Sequence, residues 1–373
     1  MKNYCRSMLI IMGFLLIHEV EAGEQELFGS HVIITDTRID ALRDRIENRT
    51  EPTFSAWQQV RQKADRAMEE LPSPPQNWYV PGYYRDAKGH SSSKRPLMKD
   101  ANNTYLLGLA YRITGEERYA AAAERNINAW ATAVETLSRE DDSTLSFSYH
   151  FPAMIFAADL IRDYKDFTEE EQGVFRKFVR EKALPQHTMN RANNWGNWGL
   201  VLVMASAVYL RDQQLFEQSV ERWKEFIETQ IAEDGHLPHE VHRNEGRSGI
   251  WYSNFTLYPQ TIAAEIARVN GVFLYDYQSP GGRTLRKAFE RLASWAAHPE
   301  TFPYYQGDSS RLHGADYVSY FEILNQLWHN ESAQKLLEDL RPLDGQHCLP
   351  ALSFTHGDLF EMDSASGVKS EPE

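Results

Sequence analysis

The sequence predicts an all-α protein, an α/α toroid (an incomplete α/α barrel) built from helical hairpins. Three observations lead there. About a dozen segments place apolar residues at helical spacing and are joined by short connections. No alternating run is followed by an Asn-Gly or Asp-Gly hairpin turn, so strand signals are sparse. No short sequence period recurs, which disfavours a repeat solenoid and favours helix pairs stacked around an axis.

Taken in order, the first helix is expected over residues 35–48, with Asp36 or Thr37 as cap and Ile39, Leu42 and Ile46 as its apolar stripe. The second covers 54–71 and stops at Pro72, Pro74 and Pro75. Residues 76–96 read as irregular and carry Trp78, Tyr79, Tyr83 and Tyr84, flat faces on which sugar rings can stack. Helices follow over 102–114, stopped by Gly115, and over 116–136, 147–164, 168–182, 198–210 and 214–233. Thr168 and Glu171 form a capping box. After a loop of unusual composition come 255–270, 282–297, 309–328 and 332–340.

The two ends read differently. Lys2 and Arg6 precede the apolar run from Met8 to Ile17 and a polar segment ending Val20-Glu21-Ala22, the order of a secretory signal over residues 1–22. The run is too short to cross a bilayer, which takes about 20 residues, so release into periplasm or medium is expected, with no membrane partner. Residues 23–362 are expected to form a single toroid domain, monomeric, and the small polar stretch 363–373 a disordered tail. Of the two cysteines, Cys5 lies in the leader, so Cys348 has no internal partner and the core must hold the fold without disulfides.

The net charge of -14 survives loss of the leader, because Lys2 and Arg6 balance Glu19 and Glu21, and it argues against nucleic acid as a partner. A polyanionic sugar would feel local charge instead. Arg85, Lys88, Lys94, Arg95 and Lys99 lie close together with Asp86 alone among them opposing.

The stretch from Asp234 to Pro259, DGHLPHEVHRNEGRSGIWYSNFTLYP, gathers His236, His239, Glu240, His242, Arg243, Arg247, Trp251 and Tyr252 between two expected helices. That is more chemistry than a linker needs, and loops carry function because a rigid scaffold aims their side chains. Upstream, Asn193 to Trp198 (NNWGNW) crowds amides and the indoles Trp195 and Trp198 around Gly196, which suggests close approach to the backbone. Tyr304-Tyr305-Gln306, after Pro303, offers a further sugar platform. His236, His239 and His242 stand three apart, but Pro238 breaks the helix that would align them, and neither HExxH nor paired CxxC occurs. No metal or other cofactor is expected.

Two chemistries suit these residues. Glu240, Glu245 and Asp308 are candidate acids for glycoside hydrolysis, which needs a carboxyl pair across the scissile bond. The other chemistry is β-elimination from a uronic acid polymer. There the C5 proton next to the carboxylate is removed while the C4–O bond breaks, and donors aimed at the carboxylate must offset the charge that develops. A tyrosine serves as base, and as acid to the leaving oxygen, if nearby cations favour its ionised form. Tyr252 with Arg243 and Arg247, and the amides of Asn194 and Asn197, supply those groups.

Here a resemblance becomes specific. The segment DGHLPHEVHRNEGRSGIWYSNFTLYP resembles the DG-x-x-P-x-E … R … Y segment of the alginate lyase superfamily of polysaccharide lyases, and Asn193-Asn194-Trp195 resembles that superfamily's Asn-Asn-His. Tyr83-Tyr84, the helix from Lys99 to Thr114 and Trp130 fit its amino-terminal half, so the resemblance runs from about residue 75 to 310. It implies an α/α toroid, no obligatory metal, and cleavage of a 1,4-linked uronan (glucuronan, or alginate and polymannuronate) with Tyr252 as catalytic tyrosine. Trp195 stands where the superfamily has histidine, as in divergent glucuronan and alginate lyases, and His150 is the candidate replacement. Either Arg243 or Arg247 would neutralise the carboxylate. Tyr83, Tyr84, Arg85, Lys99, Trp195, Trp198, His239, Tyr304, Tyr305 and Gln306 would hold neighbouring sugars. An α/α-barrel hydrolase and a non-catalytic oligouronate-binding protein are the alternatives.

Overall fold

The structure, a computed structural model, describes residue 29 and residues 31–357 except 346. The expected leader over 1–22 and tail over 363–373 lie outside the described residues. The helices are α1 (Asp36–Glu47), α2 (Thr53–Glu69), α3 (Ala87–Thr114), α4 (Glu117–Ala133), α5 (Ser143–His150), α6 (Pro152–Leu160) and α7 (Glu169–Phe178). They continue with α8 (Asn194–Leu210), α9 (Gln213–Gln230), α10 (Gly249–Val269), α11 (Leu285–Ala297), α12 (Phe321–Trp328), α13 (Glu331–Leu340) and α14 (Leu352–His356). Two short strands, β1 (Asn77–Trp78) and β2 (Thr136–Leu137), pair in parallel.

Residue pattern sorts these helices into two layers. Every residue of α6 is buried, as are nearly all of α8 and α10, so these apolar helices must be surrounded by protein. By contrast, α9 buries Phe216, Ser219, Val220, Trp223, Phe226 and Ile227 along one stripe and turns its charged face outward. The packing follows: α3, α6, α8 and α10 are successive neighbours, while α4, α9 and α11 lie against α3, α8 and α10 from outside. Alternation between layers makes the inner helices parallel, the arrangement of an α/α toroid. Residues 31–36 cross the carboxyl ends of those inner helices. The Val32 amide donates to Asp159 Oδ2 on α6 at 2.9 Å, Asn270 after α10 donates to the His31 carbonyl at 3.2 Å, and Arg112 of α3 pairs with Asp36. The amino ends of α3, α8 and α10 therefore share the opposite end. Among the described residues no helix is long and apolar enough to cross a membrane.

Several boundaries are those expected. Gly115 ends α3 in the left-handed conformation at φ 72°, and Thr168 with Glu171 closes both bonds of the capping box on α7. Others move for identifiable reasons. The irregular region ends at Asp86, not at Pro96, because Asp86 accepts from the Gly89 amide and starts α3 upstream of the proline. Pro96 then sits inside the helix at the loss of one backbone hydrogen bond. The helix expected over 147–164 is split into α5 and α6 by Pro152, which opens α6 at its first turn. Of the helix expected over 309–328, only a turn at Ser309–Arg311 and α12 are helical. The helices expected from Trp198 and Phe255 begin earlier, at Asn194 and Gly249, and that shift moves both functional stretches onto helix starts.

Candidate active site

Tyr252 lies in the first turn of α10 and not in the loop before it, its amide bonded to the Ser248 carbonyl at 2.9 Å. The loop reaches it by a reversal in which Asn244, Glu245 and Gly246 all have positive φ. Gly246 is required there: a Cβ would collide with the Tyr304 carbonyl. A Cβ at Gly249 would likewise strike the Val241 carbonyl, and one at Gly314 the backbone of Trp251. The reversal returns Arg243 to Tyr252, with the guanidinium carbon 4.9 Å from the phenol ring centroid.

Glu240, 1% exposed, is what aims that arginine. Its Oε2 accepts from Arg243 Nε at 3.1 Å, while its Oε1 accepts from Asn194 Nδ2 at 3.0 Å and from Thr256 Oγ1 at 3.2 Å. A buried carboxylate with all these donors is satisfied and fixed. The hydrolase alternative thereby loses its best acid. Asp308 is spent capping Ser309–Arg311 and Glu245 is exposed on the reversal.

From the other side Tyr84, 82% exposed, reaches across so that its hydroxyl meets that of Tyr252 at 2.6 Å. Tyr83 packs edge-on against Tyr84 and against His90, both at 5.5 Å between ring centroids, and its amide donates to Asp142 Oδ2 at 2.8 Å. Arg85 pairs with Asp141, which also takes the Tyr79 hydroxyl; those two donors hold the Asp141 carboxyl below its usual range. The expectation that cations ionise Tyr252 is corrected. Burial, and then the Tyr84 hydroxyl, push its pKa above the ordinary tyrosine value, and Arg243 offsets this only in part. Without substrate Tyr252 is a phenol.

Several expected site residues are turned to other work. Asn197, wholly buried, donates to Gln230 Oε1 at 2.7 Å, and Gln260 donates to the same oxygen at 3.1 Å, an interior amide cluster between α8, α9 and α10. Asn194 faces Glu240, and the residue that caps α8 is Asn193, which accepts from the Trp195 amide. Trp198 is wholly buried against Tyr149, Phe255, Tyr258 and His347, which rules out a sugar platform. His150 is 2% exposed, and burial drives its pKa well down, so it is a neutral interior imidazole and not a free proton carrier. Lys99 is committed to Glu70 at 3.2 Å and Asp100 at 3.6 Å in the wall between α2 and α3.

The rim keeps other expected residues. Trp195 stays half-buried under Arg191, whose guanidinium lies 4.1 Å from its ring centroid, and a Cβ at Gly196 would strike the Arg191 carbonyl, the close approach expected there. Arg247 is exposed beside the Asn244 amide and does not share Tyr252, so Arg243 is the arginine at the phenol. His239 is exposed, and His236 and His242 pack on Tyr304 at 5.5 and 5.0 Å. Tyr305 is half-buried, and Gln306 folds back onto the Pro303 carbonyl at 3.1 Å. Among the described residues no three His, Cys, Asp or Glu side chains are arranged to hold a metal ion. The sequence offers Glu240 as a hydrolase acid or as part of an ion-pair cluster with Arg243, and the pair is what the structure shows.

Residues 47–302 match the family model for alginate lyase, well over half of the chain. The chain belongs to that family. Two relatives are an alginate lyase of Pseudomonas fluorescens, 32% identical over 114 residues, and one of Pseudomonas entomophila, 28% identical over 169 residues. These stretches cover 31% and 45% of this chain and only 29% and 43% of the relatives. Among solved structures, an alginate lyase from Bacteroides ovatus superposes with a TM-score of 0.69 at 18% identity, over 88% of this chain and 99% of that one. Alginate lyase A1-III of a Sphingomonas species gives 0.68 at 19% identity, over 87% and 97%. At such identity the likeness is one of fold: this alginate lyase family member shares their toroid. Histidine-to-alanine and tyrosine-to-phenylalanine variants of the Sphingomonas protein are complexed with tetrasaccharide.

Proposed function

We propose that this chain is a polysaccharide lyase that cleaves a 1,4-linked uronan, alginate or glucuronan, by β-elimination at Tyr252. The observation that carries the reading is the Tyr252 cluster itself: a phenol with Arg243 over its ring, at the end of the toroid where the inner helices begin. Helix starts carry partial positive charge and favour anions. In the reaction the C5–H bond breaks, its electron pair becomes the C4=C5 double bond, and the C4–O bond breaks. The C5 proton passes to the base, and the glycosidic oxygen leaves with a proton. Tyr252 performs both transfers: substrate displaces the exposed Tyr84 hydroxyl, which removes one of the groups that raise the phenol pKa, the phenol proton passes to solvent, and the phenolate beside Arg243 takes the C5 proton and returns it to the leaving oxygen. The charged and apolar order of residues 2–22 supports action outside the cytoplasm, where such polymers are met.

The direct test is ultraviolet absorbance during separate incubations with glucuronan, polymannuronate and polyguluronate. A rise from C4=C5 unsaturated ends on one polymer is the expected result and names the substrate. Flat traces with new reducing ends would mean hydrolysis, and flat traces without new ends a binding protein.

A pH dependence follows from the raised pKa of Tyr252. The free enzyme must lose the phenol proton before it can act as base, so kcat/KM is expected to rise about tenfold per pH unit from neutrality into the alkaline range. A profile flat over that range would mean that Tyr252 serves as acid only.

A further inference from the structure

Asn197 is wholly buried on Gln230 and Asn194 gives one of its two amide hydrogens to Glu240, so the charge of the substrate carboxylate calls for a further partner beside Arg243. The wall of the toroid holds one. Lys94 stands four residues after His90 on α3, so the two share a face. His90 packs on Tyr83, Tyr83 on Tyr84, and Tyr84 bonds to Tyr252. On the other side, the Lys94 ammonium lies 3.3 Å from the Tyr149 hydroxyl and 5.5 Å from that ring's centroid. Tyr149 packs on Phe255, which meets the Tyr252 ring at 6.5 Å. Two chains of contacts, one through three side chains and one through two, thus connect Lys94 with Tyr252.

What Lys94 lacks is a counterion. Among the described residues it forms no ion pair, and Asp142 acts on it only at a distance. The side chain is partly buried, and desolvation lowers its pKa, as befits an ammonium short of a partner. A second observation points the same way. Both ring nitrogens of His150, Nε2 of His347 and Nε1 of Trp198 are buried without a hydrogen-bond partner, and all three rings surround Tyr149, at 4.5, 4.6 and 5.9 Å. Buried polar groups are ordinarily satisfied. This corner is rich in hydrogen-bonding groups that the protein leaves unused, beside a cation without an anion.

We propose that Lys94 is a catalytic residue that receives the carboxylate of the uronate losing its C5 proton, the task the sequence assigned to the two asparagines. The proposal rests on the lyase reading above. As the proton leaves C5, negative charge spreads into the carboxylate, and an ammonium already in place needs no reorganisation to meet it.

The test compares Lys94→Met and Lys94→Arg in the full chain on whichever uronan the wild type cleaves, by ultraviolet absorbance. Lys94→Met is expected to lose about 100-fold or more in kcat at an unchanged melting temperature, since removing one such donor commonly costs that much. Lys94→Arg, which keeps the charge, is expected to regain at least about tenfold of the loss. Retention of kcat within about threefold by Lys94→Met would overturn the proposal, as would equal losses in both variants, which would mean that charge is not what matters. Lys94→Gln repeats the comparison if the methionine variant melts early. Failure of the lyase reading is told apart because it shows in the wild type, as no unsaturated ends from any of the three polymers, and it takes the proposal with it.

Discussion

Replacing Tyr252 by phenylalanine is expected to leave the fold intact and remove turnover. The ring keeps its packing against Trp251 and Phe255 and its place beneath Arg243, so the interior loses no volume. The one hydrogen bond lost is to Tyr84, an exposed partner, and costs about 1 kcal/mol at most. The rate loses its proton carrier, in both directions, and general acid–base groups contribute about 100- to 10,000-fold. Turnover by absorbance should therefore fall by about 1,000-fold or more, while calorimetric affinity for the oligouronate and the melting temperature hold. Wild-type turnover in this variant would sink the assignment of the site.

Glu240→Ala is expected to cost both stability and turnover. The carboxylate is buried and receives three donors, and its removal strands the Asn194 amide and the Thr256 hydroxyl in the interior. Unsatisfied buried groups cost about 1–3 kcal/mol each, so a loss of about 3 kcal/mol in denaturant unfolding is expected. Arg243 adds little to that sum because it is partly exposed, yet without Glu240 nothing aims it at Tyr252. Glu240→Gln separates the two effects. Its amide oxygen still accepts from Asn194 and Thr256, while its NH2 faces the Arg243 donor, so stability should largely survive and turnover should not. Equal stability of Glu240→Ala and wild type would refute the role given to this residue.

The toroid was legible because burial is written into composition along each helix. Residues 198–208 are apolar on all sides and can only be interior, whereas Phe216, Val220, Trp223 and Ile227 mark one face and can only be an outer helix. Local signals with local causes also held, as at Gly115 and Thr168. The site was half legible. Tyr252 and an arginine nearby could be read from spacing, since both lie on one short stretch. The fates of Asn194, Asn197 and Trp198 could not. Each stands at a helix start beside polar neighbours, and only the packing of α9 and α10 decides that the amides point inward. His150 failed for the same reason: a histidine at a helix start looks accessible until α8 and the His347 ring cover it.

The glycines around Tyr252 have a consequence for how this protein can change. Gly246, Gly249 and Gly314 press backbone against backbone, so none of these three positions accepts a side chain without displacing the stretch that bears Arg243 and Tyr252. The facing stretch, Tyr79 to Asp86, is held largely by exposed side chains. One jaw is a fixed anvil and the other an adjustable grip. Variation is therefore free to accumulate on the grip, while the anvil keeps the geometry of Arg243 over Tyr252.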